Sequence, residues 1–413
     1  MQVRRLGAWL FTALALGTAT LPAHAASLRI ASAFDPQTMD PHALALLYHS
    51  RVVFQVYDSL VNRDEHFRLE PSLATKWQAI GPTTWRFTLR EGVFFHDGTP
   101  LAVDDAVFSI SRALAAPSQR AFQLKGVTGA KKVDERSFDI LLAAPDAVLP
   151  EKLTTLAIMS QAWAGKHGVE KAQDFNAKQE TFAVRNANGT GPYQLDRYEP
   201  DVRAVLKRFP RWWGAGAKPA TLGQLGNVGN VDQVTWLPIR SDPTRLAALL
   251  SGEVDLVLDP PTQDIDRLRN EPRITLAQTP DLGQQYFTFD QSRDELEFSD
   301  VKGKNPFKDL RVRRAVYHAL NVDLIVAKVL RGQGVPTGAF LSSKVDGSPA
   351  ELDKRLPYDP ARSRALLKEA GYPDGFSITL DCVNVAWREA VCQAASAMLT
   401  QRSEEHTSEL QSR

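Results

Sequence analysis

Only two cysteines occur in this chain, Cys382 and Cys392, so neither a disulfide framework nor a paired-cysteine metal motif organises it. No histidine stands near the pair in sequence, which argues against a metal there. Neither sign of charge is in excess: Lys plus Arg is 49, Asp plus Glu is 48, and the net charge is +1. That balance lacks the basic footprint of a nucleic-acid binder and any polybasic membrane segment, and it points to a solute as partner. The G-x-S-x-G elbow, the P-loop and H-E-x-x-H are all missing. No internal repeat or low-complexity segment appears. After residue 25 no stretch approaches the roughly 18 apolar residues of a membrane span, so the expectation is a chain that is not membrane-embedded. No catalytic residue, metal site or cofactor is assigned.

What is present begins with an export leader. Arg4 and Arg5 precede an apolar run of 13 residues, Trp9 to Leu21. Ala23-His24-Ala25 then supplies a small-x-small cleavage pattern, which predicts cutting between Ala25 and Ala26. In an exported chain disulfides persist. A spacing of ten leaves two readings of Cys382 and Cys392 open, a bridge or two small buried apolar side chains.

The stretch Trp85 to Ser109, WRFTLREGVFFHDGTPLAVDDAVFS, carries the most information. Trp85, Phe87 and Leu89 alternate with Arg86, Thr88 and Arg90, the period of a half-buried strand. Glu91-Gly92 and Asp97-Gly98 mark turns, and His96 belongs to the second turn. Val103, Val107, Ile110 and Leu114 recur at helical spacing, with Asp104 and Asp105 in the first turn, where the helix dipole favours anions. Elsewhere the patterns predict a first strand at 27–33 and a mostly apolar helix within 44–61. In Asn188 to Tyr193, NGTGPY, Gly189 and Gly191 are expected to take backbone angles closed to other residues. A strand-helix-strand unit is expected over 234–259, capped by Asp242 and Gly252, with its second strand inside a parallel sheet. Further helices are expected in 305–332 and from Asp359-Pro360, then a strand at 376–383. A last helix has Trp387, Val391, Ala394 and Met398 on one face. The basic cluster Arg311, Arg313 and Arg314 reads as a solvated face.

The signature at 85–109, the NGTGPY turn, the step LEPSLA at 69–74 and the block NPFKDLRVRRA at 305–315 together resemble the periplasmic dipeptide/oligopeptide-type solute-binding proteins, family 5, receptors of ABC importers. The resemblance covers nearly all of 27–401. It implies an α/β fold of two lobes, a type II periplasmic binding protein with an extra domain on the first lobe. The expected division is lobe I at 27–61 and 186–277, the extra domain at 62–185, and an incomplete lobe II at 278–401. Ligand would enter between the lobes and be buried by hinge closure. The implied partners are a peptide or similar small solute and the importer's permease subunits, with the receptor monomeric and periplasmic. The loop after the first strand nominates Phe34, Asp35 and Gln37, because ligands bind beyond the carboxyl ends of parallel strands. The segment entering the second lobe nominates Gln284, Gln285 and Tyr286, and the last helix nominates Trp387. Competing readings are a secreted hydrolase pairing Asp97 with Asp104 or Asp105, and a sensor-coupled binding protein. Finally, Arg402 to Ser412, RSEEHTSELQS, has no hydrophobic periodicity and resembles the translation of a sequencing-library adapter. Residues 402–413 are therefore set aside from the fold, with the natural protein expected to continue past Gln401 and, as the resemblance implies, to return to its first lobe.

Overall fold

The computed structural model describes residues 26–64, 66–215, 231–278, 283–340 and 349–400. The expected leader and the set-aside tail lie outside the described residues. The strands, in chain order, are β1 (Ser27–Ser32), β2 (Val61–Arg63), β3 (Leu69–Pro71), β4 (Ala74–Gly81), β5 (Thr84–Leu89), β6 (Val127–Lys132), β7 (Ser137–Leu142), β8 (Tyr193–Glu199), β9 (Arg203–Arg208), β10 (Gln233–Pro238) and β11 (Leu256–Val257). They form a five-stranded sheet of order β11-β1-β10-β9-β8, a β2-β3 ribbon and a four-stranded sheet of order β4-β5-β7-β6. Two helices pack beside these sheets near the first loop, α1 (Leu47–Val56) and α2 (Val103–Leu114).

The signature folds as its periodicity predicts. Phe87 and Leu89 of β5 are buried, and Phe87 stacks on its cross-strand partner Phe138 of β7 at 5.6 Å. Gly92 and Gly98 both take left-handed φ at the two turns. Helix α2 buries Val103, Ala106, Ile110 and Ala113 against the four-stranded sheet, each apolar side chain larger than alanine contributing about 1.5–3 kcal/mol. The Asp105 carboxylate accepts from the Ala102 backbone N–H and reaches the Gln161 N–H, both at 2.8 Å, satisfying an otherwise unpaired donor at the helix start.

Several expectations change. The helix expected within 44–61 spans Leu47–Val56 and gives way to extended backbone at Tyr57. Gly189 and Gly191 are not in the left-handed region. They are required by close approach: a Cβ on Gly189 would lie 2.0 Å from the Val56 carbonyl oxygen, and one on Gly191 2.7 Å from the Val56 carbonyl carbon. The helix Asp242–Ser251 is capped by Ser241 and not by Asp242, since the Ser241 hydroxyl accepts the Thr244 N–H. Gly252 closes it in the left-handed region, as expected. The following strand is a two-residue edge strand, not an interior one. β1 lies between β10 and β11, and Pro260 and Pro261, which lack N–H donors, end the ladder. Residues 376–383 make a single bridge, Ser299 to Ile378, in place of a strand. The helices Leu310–Ala319 and Pro360–Glu369 form as predicted, capped by Asp309 and Asp359, and the last helix spans Ala386–Thr400. Ala395 is its buried residue, and Trp387, Val391, Ala394 and Met398 of the expected face are each half-buried. Of the basic cluster, Arg311 pairs with its own cap, Asp309. Cys382 and Cys392 are joined by a disulfide.

The buried apolar side chains gather in separate cores. One runs from Leu60 to Ile158 around the four-stranded sheet, one surrounds the five-stranded sheet, and one gathers Leu296, Phe307 and Val312. The second also takes in Ala157, Met159, Trp163 and Ala183, so this stretch packs on the five-stranded sheet.

Two polar clamps tie the sheets together. In the first, Arg112 of α2 forms a bidentate pair with Asp40 at 2.7 and 2.8 Å, both side chains fully buried. Arg112 also donates to the Val169 and Lys171 carbonyls, and Asp40 accepts the His42 and Gln173 N–H groups. Burial alone would raise the Asp40 carboxyl. The Arg112 charge and hydrogen bonds outweigh it and hold the group down at about 2. In the second clamp the His96 imidazole accepts from Gly189 N–H through Nδ1 and faces the Gly191 carbonyl through Nε2 at 3.0 Å. Asp97 and Asn188 exchange two further bonds. Burial lowers His96 to about 4, and His42 and His49 beside Asp40 to about 3.

Replacing one partner of the buried pair leaves an uncompensated charge. Arg112→Met is expected to cost about 3–5 kcal/mol in urea unfolding, whereas Arg136→Met, at the exposed pair with Glu91, should cost under about 1 kcal/mol. The three histidines stay neutral in the fold but protonate near 6.5 when unfolded. Their contribution is therefore complete above about pH 6.5 and is lost as pH falls through about 4 to about 3. The raised carboxyls of Asp58 and Asp105 oppose this at the lower end. The urea midpoint should fall between pH 7 and pH 5, and a His96→Gln variant should show a shallower fall.

Candidate functional site

The carboxyl ends of β1, β10 and β11 meet on one edge of the five-stranded sheet, because β10 and β11 both run parallel to β1. The β8-β9 turn joins them there, since Ala204 pairs with Trp236 near the end of β10. Three non-glycine residues on this edge have left-handed φ: Gln37 after β1, Asp201 in the β8-β9 turn and Asp259 after β11. Such backbone persists only where the surroundings enforce it.

Asp35 supplies the enforcement for two of them. It is buried, and its carboxylate accepts the Tyr198 hydroxyl, the Gln37 N–H at 2.6 Å and the Asp201 N–H at 2.9 Å. Its structural role is to hold the loop and the turn together. Burial, reinforced by Asp35, pushes the Tyr198 hydroxyl up, so it stays a donor. The Gln37 amide donates to the Tyr48 hydroxyl at 3.0 Å, and the Tyr48 ring lies 5.3 Å from Phe34. Phe34 is 49% exposed, and Leu47, which precedes Tyr48 in the chain, is more open still. The edge thus carries an open aromatic pair with polar groups around it.

Charges flank the pair. Arg51 of α1 makes a bidentate pair with exposed Asp259, and Arg240 pairs with Asp201 at 2.5 Å. Arg245 is buried beneath, bonded to the Ile239 carbonyl and to Asp242. Tyr48, Leu47, Arg51, Asp201, Arg240 and Asp259 were not singled out from sequence. The Tyr48 and Arg51 spacing on the open side of α1 was the one available signal.

The other nominated residues fall in two further groups. Gln284, Gln285 and Tyr286 lie in a segment outside the helices and strands, and the exposed Tyr286 ring packs on Phe340 at 4.9 Å. Trp387 is half-buried in the first turn of the last helix, with the Arg388 guanidinium 5.0 Å from its ring. Among the described residues no ion pair or ring contact joins these groups to the Phe34 loop. The three aspartates of the hydrolase reading each have a local partner: Asp97 holds Thr99 and Asn188, Asp104 meets Lys132, and Asp105 caps α2. No group of metal-ligating side chains occurs among the described residues, and no helix there is long and apolar enough to cross a membrane.

Comparison with known proteins gives a consistent result. Residues 68–401 match the model of the bacterial extracellular solute-binding proteins, family 5, middle region. The glutathione-binding protein GsiB of Escherichia coli K12 is 27% identical over 348 residues, which are 83% of this chain and 61% of that protein. The chain thus spans about three fifths of the curated relatives it matches. Among solved structures, the dipeptide-binding protein of Pseudoalteromonas sp. SM9913 in complex with Met-Leu has a TM-score of 0.71 at 20% identity, covering 91% of this chain and 74% of that one. The periplasmic binding protein DppA of Helicobacter pylori in complex with the peptide STSA has a TM-score of 0.68 at 22% identity, covering 91% and 72%. The fold is accordingly the α/β fold of the type II periplasmic binding proteins.

Tyr198→Phe removes one donor from Asp35 and leaves the two backbone N–H groups. A bond to a charged acceptor contributes about 1.5–3 kcal/mol. The variant should lose stability of that order in urea unfolding and show faster amide exchange at Gln37 and Asp201. Unchanged exchange at both amides would show that Tyr198 is not needed to keep Asp35 in place.

Proposed function

Because the chain belongs to the bacterial extracellular solute-binding proteins, family 5, we propose that it is a periplasmic receptor that captures a short peptide and delivers it to an ABC importer. The observation that carries this reading is the sheet edge itself: an open Phe34–Tyr48 pair flanked by two exposed ion pairs. An apolar platform with opposite charges beside it suits a zwitterion with a side chain. The kinship with a glutathione-binding protein supports a peptide over other solutes.

In this reading lobe I comprises 27–61 and 186–277, the extra domain 62–185 and lobe II 278–401. Phe34 and Tyr48 receive an apolar part of the ligand, and Gln37 offers its remaining amide hydrogen. Asp259 meets the ligand's ammonium while Arg51 holds it from behind, and Arg240 meets the carboxylate. Gln284, Gln285, Tyr286 and Trp387 close from the second lobe. Closure is selected because only the closed form contacts ligand from both sides. No bond is made or broken in this cycle, and the local partners of Asp97, Asp104 and Asp105 support a receptor over a hydrolase. The receptor acts as a monomer.

Isothermal titration of the exported protein with glutathione, Met-Leu and a tripeptide set tests this. At least one peptide should bind at micromolar or tighter Kd. Asp259→Asn should weaken that peptide about tenfold, the loss of roughly 1.4 kcal/mol expected of one charge-assisted bond, and its N-acetylated form by under about twofold. Binding only of a metal chelate, an opine or a sugar would replace the peptide assignment. Equal weakening of both peptide forms would remove Asp259 from amine recognition.

A further inference from the structure

We propose that the Cys382–Cys392 disulfide is a positioning element that holds the Trp387 turn in place and so sets how tightly ligand is retained. The bridge joins an extended segment to the second turn of the helix Ala386–Thr400 and closes a loop in which Trp387 lies midway. The last backbone bond tying this segment to its neighbour is from Thr379 N–H to the Phe298 carbonyl. From Leu380 to Asn384, the bonds made among the described residues stay inside the segment, such as Val385 N–H to the Val383 carbonyl. Leu380 and Val383 are exposed, so apolar packing does not hold it either. The helix itself is anchored late: Ala395 is its buried residue, and Met398 accepts the Asn321 N–H. From Leu380 to Asn384 the disulfide is therefore the principal constraint, and it ties that segment to the half-buried turn that presents Trp387. A covalent link across a short loop removes conformations that the open chain would sample. A binding group held in advance loses less freedom when ligand arrives.

Reduction undoes this chemically. Two electrons and two protons convert the S–S bond to two thiols, and dithiothreitol supplies them while closing to its own cyclic disulfide. The effect on ligand rests on the receptor reading above and on the role proposed there for Trp387. The effect on the segment rests on neither.

The test compares the full chain oxidised, reduced with dithiothreitol, and as the Cys382→Ser/Cys392→Ser variant. Amide exchange over 380–392 is read alongside titration with S-methylglutathione, which has no thiol to exchange, and with Met-Leu. We expect exchange across 380–392 to quicken about tenfold while β1 and α2 are unchanged. Affinity for whichever probe binds should fall about fivefold through faster dissociation. Trp387→Ala should weaken binding similarly, and reduction of that variant should add little. Unchanged exchange at 380–392, or faster exchange with unchanged affinity, overturns the proposal. Faster exchange everywhere also overturns it, because the bridge would then be a general staple. If neither probe binds the oxidised protein, the receptor reading for these ligands fails, while the exchange pattern still decides whether the bridge holds the turn.

Discussion

A single buried ion pair, Arg112 with Asp40, sets the terms for most of this molecule. Both side chains are wholly shielded from water, where an isolated charge would be far too costly. They are tolerated because nearly every lone pair and N–H is used, by each other, by the Val169 and Lys171 carbonyls and by the His42 and Gln173 amides. Arg112 stands on the helix of the four-stranded sheet, and Asp40 on the loop that leaves the first strand. The loop that carries Phe34, Asp35 and Gln37 is thus anchored at its far end by a helix from another sheet. His42 and His49 remain neutral in the same setting because burial there penalises any further charge.

The second clamp works from the other side. His96 and Asp97 grip the turn at 188–191, and that turn lies so close to Val56 that two glycines are needed. Val56 ends α1, whose open face carries Tyr48 and Arg51. Loop and helix are each pinned at a point remote from the Phe34–Tyr48 edge, which leaves that edge shaped but exposed. The groups around Tyr286 and Trp387 rest on local contacts, with Phe340 and Arg388, and the disulfide lies beside the second.

Much of this was legible in the residues. The alternation at 85–89, the aspartates at the start of α2, the Asp-Pro start at 359–360 and the glycine stop at 252 act over a few residues, through backbone geometry and local hydrogen bonds. The structure follows them closely. The nomination of the loop after the first strand also came from a local rule about strand ends. Where expectations failed, the deciding partner was distant. Gly189 and Gly191 looked like turn glycines, yet their reason is a carbonyl more than 130 residues earlier in the chain. The segment 376–383 has a strand's composition, yet a ladder requires a continuous neighbour, and among the described residues its backbone pairs across only with the stretch at 298–300.

By itself the sequence determined the order and type of most elements and the family, because helix caps, turns and side-chain periodicity are short-range and need no partner. Tertiary structure alone decided that Asp35 is a brace, that Arg51 of α1 finds Asp259 across 208 residues, and that Cys382 and Cys392 are joined. The first two are pairings between distant segments, while the bridge settles a choice that a spacing of ten had left open. No local pattern encodes them, since they exist only once the sheets have packed and buried the groups that must then find partners.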